Sequence, residues 1–305
     1  NEFILFANGS LKDLRNEFKD QLKRKNVVYF NWLAPCPLDF YTNNYLKRKI
    51  GVYLRSYSLA IIHVDLILIT SYLEGYIDNC LTDIDQEICN VKQVSIFYDL
   101  IPLLNSKKYL DPNPKFAKFY RSKINKLNDF DGLLSISNYS ANEVIDNLDI
   151  DPNKIVNISS ACDEKIFNKD SDKGISFSHS KIINSPFLLY TGAHDVRKNV
   201  KSLIQAYSKI DINLRRKYKL VLAGKILEPE SKLLDIWIKN YNIDNNQIIK
   251  TGFITDQDLS TLYRNCSLFI FPSLHEGFGL PVLEAMSCGA PVIGSNTTSV
   301  REVLF

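Results

Sequence analysis

The stretch from Phe269 to Asn296 reads FIFPSLHEGFGLPVLEAMSCGAPVIGSN. Apolar residues up to Phe271 predict a buried strand. Pro272–Gly279 predicts a loop, and a helix opens at Leu280-Pro281, because proline suits the first helical turn, where its missing N–H is not needed. Pro291–Gly294 then reads as the next strand. A helix between two such strands belongs to a parallel, doubly wound sheet. The start of that helix is a candidate anion site. The backbone N–H groups of Phe278, Gly279 and Leu280 precede any intrahelical partner, and the helix dipole adds partial positive charge. Glycines at 277 and 279 let a ligand approach the backbone closely. Glu276 and Glu284 flank this cradle. Carboxylates repel phosphate but accept hydrogen bonds from hydroxyls. A diphosphate between two sugars satisfies both features. A plain surface loop with a glutamate at a helix start is the other reading of this stretch taken alone.

A second segment, Leu189 to Val200, reads LYTGAHDVRKNV. A strand ends at Gly192, and Arg197-Lys198 precede a helix. The Arg fork binds phosphate directionally, whereas Lys acts as a point charge. Their place just past the carboxyl end of a strand is where ligands bind in such sheets.

The rest of the chain repeats the pattern. Strands are predicted at Val27–Phe30, Ala60–Thr70, Val94–Tyr98, Gly132–Ser137, Ile155–Ser159, Phe187–Tyr190, Leu220–Ala223, Ile248–Gly252 and Leu268–Phe271, besides Pro291–Gly294. Helices are predicted at Leu11–Lys25, Asn43–Leu59, Lys115–Asn128, Ala141–Leu148, Val200–Lys209, Ser231–Asn240, Asp256–Arg264 and Leu280–Ser287. Ten strands are many for one open sheet, so two sheets are expected. The polar, aperiodic segment Asp163–Ser185 marks the break. Domains are therefore expected over residues 1–165 and 185–305, joined by a linker over 166–184. Both ends read as cut: no Gly-rich first turn stands at the start, and Arg301–Phe305 follows a strand with no closing helix. The chain is expected to be part of a longer one.

Composition narrows the class. The chain has 305 residues, with 45% hydrophobic and 23% charged. That is globular and long enough for two domains. The net charge of +3 offers no argument for nucleic acid as a partner. Six cysteines lack C-x-x-C spacing, and four histidines are scattered. Reduced thiols in a cytoplasmic protein, and no metal site, are expected. The longest apolar run, Leu59–Thr70, is too short to span a bilayer and contains His63 and Asp65. Lys12–Lys25 carries many charges and reads as a solvated face or a membrane-surface helix, so loose association with the inner face of a membrane is an expectation. Two tempting motifs carry little. Gly277-Phe278-Gly279 opens a G-x-G-x-x-G pattern that Val282 breaks. D-x-D triplets occur at Asp83/Asp85, Asp129/Asp131, Asp149/Asp151 and Asp256/Asp258, so the pattern is cheap here.

Together, Glu276-Gly277-Phe278-Gly279-Leu280-Pro281, Glu284-Ala285-Met286 and Cys288-Gly289-Ala290-Pro291-Val292-Ile293 resemble the E-x7-E signature of the family 4 (group 1) retaining glycosyltransferases. Gly192 with Arg197-Lys198-Asn199 resembles the same family's phosphate-binding segment. Leu222-Ala223-Gly224 and Thr251-Gly252-Phe253-Ile254 resemble its connecting strands. In the first half, Tyr98-Asp99-Leu100-Ile101-Pro102-Leu103 is similar to its H-D-L-x-P-L segment, and Ile136-Ser137-Asn138-Tyr139-Ser140 to its I-S-x-x-S segment. Ser71–Asp78 looks like an S-x-x-E-G-x-x-D stretch of bacterial polysaccharide mannosyltransferases.

The resemblance implies a GT-B fold, with two Rossmann-like α/β domains facing across a cleft. It implies the donor on 185–305 and the acceptor on 1–165. Arg197, Lys198 and Glu276 become the catalytic candidates: the two cations neutralise the leaving diphosphate and Glu276 holds donor-sugar hydroxyls. Gly192, Gly277, Phe278, Gly279, Leu280, Glu284 and Ile254 become donor-binding candidates, with Glu284 on the ribose and Ile254 backbone near the base. Tyr98, Asp99, Glu74 and Ser137 become sugar-side or acceptor-side candidates. The donor is expected to be GDP-mannose or a UDP-sugar, with no metal and no other cofactor. The acceptor is expected to be a saccharide or a lipid-linked one in surface polysaccharide synthesis. Tyr98 stands where the family often has a histidine, and tyrosine is a poor base at neutral pH. A carboxylate nucleophile and a same-face route, in which the leaving phosphate helps deprotonate the acceptor, both stay open for retention. A non-catalytic sugar-binding or scaffolding domain of a longer protein, and a nucleotide-sugar epimerase, are the alternative functions.

Overall fold

The computed structural model describes residues 3–8, 27–32, 45–77, 80–170, 184–192 and 195–305. They fall into two compact units. The first comprises Asn1–Phe97, Asn105–Leu134 and Asp149–Val156, and the second Tyr98–Leu104, Ser135–Leu148 and Asn157–Phe305. The helix expected at Leu11–Lys25 lies outside the described residues, as do positions 171–183 of the expected linker.

In the first unit, β1 (Phe3–Asn8) pairs in parallel with β2 (Val27–Trp32). Next come α1 (Tyr45–Ala60), β3 (Leu66–Ile69), β4 (Lys92–Phe97), α2 (Pro114–Asn125), β5 (Gly132–Ser135) and β6 (Ile155–Asn157). The sheet order is β3-β4-β5-β6, with β3 and β4 parallel from Leu66 opposite Lys92. The side chain of Asn113 caps α2 by accepting the N–H of Phe116, and Pro114 occupies the first turn. The strand expected over Ala60–Thr70 is shorter. Gly51, Ser56 and Leu59 lie on the buried side of α1, which keeps the chain helical to Ala60. His63, at φ 54°, turns the chain before β3 begins.

A buried polar knot holds this unit together. Lys123 on α2 is only 2% exposed. Its ammonium donates to Thr82 Oγ1 at 2.6 Å and to Asp83 Oδ2 at 2.9 Å. Lys126 at 3.3 Å and Arg48 at 3.6 Å also face the Asp83 carboxylate. Burial alone would raise the Asp83 pKa, but Lys123, aided by Lys126 and Arg48, holds it well below the usual carboxylate range.

The second unit contains α3 (Asn138–Asn147), β7 (Phe187–Thr191), α4 (Val200–Ser208), α5 (Ile212–Lys217), β8 (Lys219–Ala223), α6 (Glu228–Asn240), β9 (Ile248–Lys250), α7 (Asp256–Asn265), β10 (Leu268–Phe271), α8 (Leu280–Ser287), β11 (Val292–Gly294) and α9 (Thr298–Leu304). The strand order is β11-β10-β7-β8-β9, and every neighbouring pair is parallel. Alternation along the strands fills both faces. Phe187 and Leu189 join Val221 and Phe269 on one side, while Tyr190, Leu220 and Leu222 join Leu203 and Ile204 on the other. The chain thus reads as near-continuous apolar runs, as doubly covered strands do. α9 corrects the expectation of no closing helix. Its seven residues are few for a periodic signal, yet Val300 is fully buried, and Val303 and Leu304 pack on the same core.

This strand order explains where a site can form. The chain starts at β7, proceeds outward to β8 and β9, then returns to β10 on the other side of β7. The connections after β7 and β10 leave the sheet in opposite directions, which opens a crevice at their carboxyl ends.

Candidate active site

Both sequence-predicted constellations lie at that switch point. After β7 the chain passes Gly192, at φ 132°, and enters a short 3-10 turn over Val196–Lys198. The Asp195 side chain caps this turn by accepting the N–H of Arg197 at 2.8 Å. Asn199 then takes the left-handed conformation, φ 56°, which asparagine tolerates better than most residues. Its amide donates to Pro272 O at 3.2 Å, tying this turn to the loop after β10.

Across the crevice that loop presents Glu276. Arg197 Nη1 donates to its Oε2 at 2.7 Å, and Lys198 Nζ to its Oε1 at 2.6 Å. Ser273 Oγ donates to the same Oε1 at 2.5 Å. Glu276 is only 8% exposed. Its own burial would raise its pKa, yet Lys198, Ser273 and Arg197 together lower it. Glu276 is thus ionised at neutral pH and acts as an acceptor of hydrogen bonds, not as an acid. Burial pulls the Lys198 pKa below that of a free lysine, with Glu276 opposing. The Lys198 ammonium also sits 5.3 Å from the centre of the Phe271 ring.

The backbone around Gly277 is packed from outside the sheet. Ser137 Oγ donates to Gly277 O at 2.7 Å while accepting the N–H of Ser140 as the cap of α3. Ser140 Oγ lies 2.9 Å from Gly277 O and 2.8 Å from Tyr98 O. A Cβ at position 277 would meet Tyr98 O at 2.6 Å and Asp99 Oδ2 at 3.2 Å, so only glycine fits. Tyr98 is exposed. The Asp99 pKa is raised by burial, against the N–H of Ile101 that its carboxylate accepts. Glu276 is fixed from α9 as well: Ser299 Oγ donates to its carbonyl at 2.7 Å.

Gly279, at φ 109°, is the last residue before α8, and no side chain caps that helix. Among the described residues, the N–H groups of Phe278, Gly279 and Leu280 have no protein acceptor. Glu284, on the second turn of α8, accepts from the hydroxyl of Tyr263 at 3.2 Å. That hydroxyl also lies 3.2 Å from Thr191 Oγ1 at the end of β7. Burial raises the Glu284 pKa, with Tyr263 opposing. The Ile254 side chain packs on the core of the sheet, and its backbone follows β9.

Sequence reasoning placed Arg197, Lys198 and Glu276 in separate segments, and the fold brings them into direct contact. Gly192, Gly277, Phe278, Gly279, Leu280, Glu284, Ile254, Tyr98, Asp99 and Ser137 lie in the same unit. Glu74 is exposed and belongs to the first unit. Ser273, Ser299, His275 and Glu143 are not among the sequence candidates, and Asn199 enters there only as part of the Arg197-Lys198-Asn199 segment. Asn199 had a signal, since it completes the Arg-Lys-Asn run before a helix. Glu143 had none, because its partner lies 132 positions along the chain.

Residues 172–304 match the model of the family described as glycosyl transferases group 1. The chain is 35% identical over 302 residues to a serotype-specific mannosyltransferase WbdA of Escherichia coli, covering 98% of this chain and 37% of that protein. It is 30% identical over 214 residues to an O-antigen chain mannosyltransferase B of Escherichia coli, covering 70% of this chain and 55% of that one. The chain thus spans little more than a third of the WbdA proteins it matches. Among solved structures, Anabaena Alr3699/HepE in complex with UDP-glucose gives a TM-score of 0.67 at 17% identity, covering 99% of this chain and 82% of that one. Sucrose-phosphate synthase from Thermosynechococcus elongatus gives 0.67 at 16% identity, with 99% and 83% covered. These likenesses show the fold, which is GT-B.

Proposed function

The chain belongs, through residues 172–304, to the group 1 glycosyl transferases, and from that premise we propose that it transfers a hexose from a nucleotide-diphosphate sugar. The product keeps the donor's anomeric configuration, and the acceptor is a saccharide or a lipid-linked one in surface polysaccharide synthesis. The carrying observation is the Arg197–Glu276–Lys198 contact at the switch point. A guanidinium and an ammonium held within hydrogen-bond distance of one carboxylate form a preorganised cationic wall. A diphosphate competes with Glu276 for it. As the bond to the sugar breaks, charge grows on the leaving phosphate, and the two cations stabilise it without rearranging. The three amides at the start of α8 add dipoles from the other side. Displaced from part of its pairing, Glu276 accepts hydroxyls of the transferred sugar, and Glu284 those of the ribose. The two cations supply the charge that a metal supplies elsewhere.

Mannose is the favoured sugar, because the relatives with the highest identity named above are mannosyltransferases. GDP-mannose is then the donor, with a UDP-sugar as the competing choice, since HepE is named with UDP-glucose. A thermal-shift panel of GDP and UDP, followed by transfer assays with GDP-mannose and UDP-sugars, tests this. GDP at a hundred times its Kd should stabilise by about 2.7 kcal/mol, and mannose should appear on the acceptor. Stabilisation by UDP alone overturns the choice of donor. Turnover of donor without acceptor would point to an epimerase.

We also place the chain at the cytoplasmic face of a membrane, bound peripherally. Among the described residues no helix is long and apolar enough to cross a bilayer. Support for surface binding comes from α1. Leu46, Ile50, Tyr53, Tyr57 and the following Ile61 recur at helical spacing and are all exposed. Lys47 and Lys49 stand beside them, and α1 contains no acidic residue. That combination suits an anionic lipid surface. Co-sedimentation with phosphatidylglycerol vesicles, absent with phosphatidylcholine and weakened by Ile50→Glu, is the expected result. Equal recovery in the supernatant with both lipids removes the proposal.

A further inference from the structure

Glu143 sits on α3 and makes none of the contacts assigned to the donor. It is 5% exposed, and a buried carboxylate is retained only where donors satisfy it. Its Oε2 accepts the N–H of Leu100 at 3.3 Å. Its Oε1 lies 2.6 Å from Nε2 of His275. With the carboxylate accepting, Nε2 carries the proton. The Tyr139 ring, one turn earlier on α3, stands edge-on to the imidazole at 6.0 Å. The histidine is therefore held on two sides by one helix.

The backbone of that histidine leads to the cationic wall. Arg197 Nη1 donates to His275 O at 3.0 Å, and the same nitrogen donates to Glu276. In return the N–H of Leu274 donates to Arg197 O at 2.7 Å. Ser273 Oγ, whose proton goes to Glu276, lies 3.2 Å from that carbonyl. The guanidinium direction is thus set by a loop whose outer anchor is the Glu143–His275 bond. We propose that Glu143 is a positioning residue for sugar transfer: by gripping His275 it fixes the carbonyl that, with Glu276, aims Arg197 at the donor diphosphate. This rests on the nucleotide-sugar reading given above.

A displacement of about 1 Å in a group that positions a substrate can cost about 100-fold. Glu143→Ala should therefore lower kcat for transfer by about 10- to 100-fold. Glu143→Gln keeps an oxygen for His275 and should recover most of it. Because Glu143 acts through Arg197, Glu143→Ala combined with Arg197→Ala should be no slower than Arg197→Ala alone. A merely structural role would make the two losses multiply, and that outcome, like parental kcat in Glu143→Ala, overturns the proposal. If Glu143→Ala does not fold, His275→Ala takes its place: the imidazole is lost, the carbonyl stays, and the same non-additivity with Arg197→Ala is expected. If the parent transfers sugar from no donor, the donor reading fails separately. The nitrogen-15 resonances of the His275 imidazole and the Arg197 side chain then decide. Both should move in Glu143→Ala and hardly in Glu143→Gln, and an Arg197 signal unchanged in Glu143→Ala refutes the positioning role.

Discussion

Arg197→Ala should slow sugar transfer by about 100- to 1,000-fold, the usual cost of removing one preorganised donor from developing negative charge. Arg197→Lys should recover little. The planar guanidinium holds His275 O and Glu276 Oε2 through Nη1 while its Nε faces Asp195 at 3.9 Å, and a compact lysine ammonium on a flexible stem cannot keep both ends of that arrangement. Glu276→Gln should also lose turnover, but by a different route. The amide keeps the shape and an acceptor oxygen while losing the charge that holds Arg197 and Lys198. The cations are then freer for phosphate, so the donor KM should stay level or fall while kcat drops. Steady-state kinetics of the three variants, with melting curves to show that each is folded, measure this. Parental kcat in Arg197→Ala would mean that the cation contributes nothing to departure of the leaving group.

Lys123→Met should cost the protein roughly 3–5 kcal/mol, as expected when one partner of a buried ion pair is removed. Lys123 is buried and Asp83 nearly so, with side-chain exposures of 3% and 12%. Without Lys123 the carboxylate keeps the Tyr72 hydroxyl at 3.2 Å and the cations Lys126 and Arg48, which are farther away and more exposed than Lys123. A loss of that size lowers the melting temperature by roughly 10 °C for a chain of this kind. The pH dependence has a definite sign. The folded pKa of Asp83 is depressed below its unfolded value of about 3.9. The pair's stabilisation is therefore complete above that unfolded value and is lost as pH falls toward the folded one. Melting curves from pH 7 to pH 3 should show the parent losing stability below about pH 4, and Asp83→Asn losing less over the same range. A melting temperature for Lys123→Met equal to the parent's would show that the knot is decorative.

The site was legible where the chemistry is local. The spacing of Gly277, Gly279 and Pro281 states a loop-to-helix turn, and α8 begins and ends where the sequence puts it. Arg197 and Lys198 were legible as phosphate-binding residues, but their pairing with Glu276 was not, because it depends on the chain doubling back from β9 to β10. The anchors of the loop come from α3 and α9: Ser137 and Ser140 stand in the I-S-x-x-S segment, whereas Glu143 and Ser299 carry no motif. Glu143 reads as an ordinary charge on an amphipathic helix, and its burial is a tertiary fact. The ends of elements slipped for physical reasons of the same kind. Ala60 stays helical because α1 buries Leu59, and α9 is too short to show a period until Val300 meets the core.

A crystal structure with bound GDP, or with UDP should that be the stabilising nucleotide, would show whether the diphosphate sits on the Arg197–Lys198 wall. Diphosphate oxygens are expected within hydrogen-bond distance of Arg197 and of the N–H groups of Gly279 and Leu280, with the Glu276 carboxylate turned from Arg197 toward the sugar position. A nucleotide ordered elsewhere on the chain, with the Arg197–Glu276 contact intact at 2.7 Å, would contradict that placement.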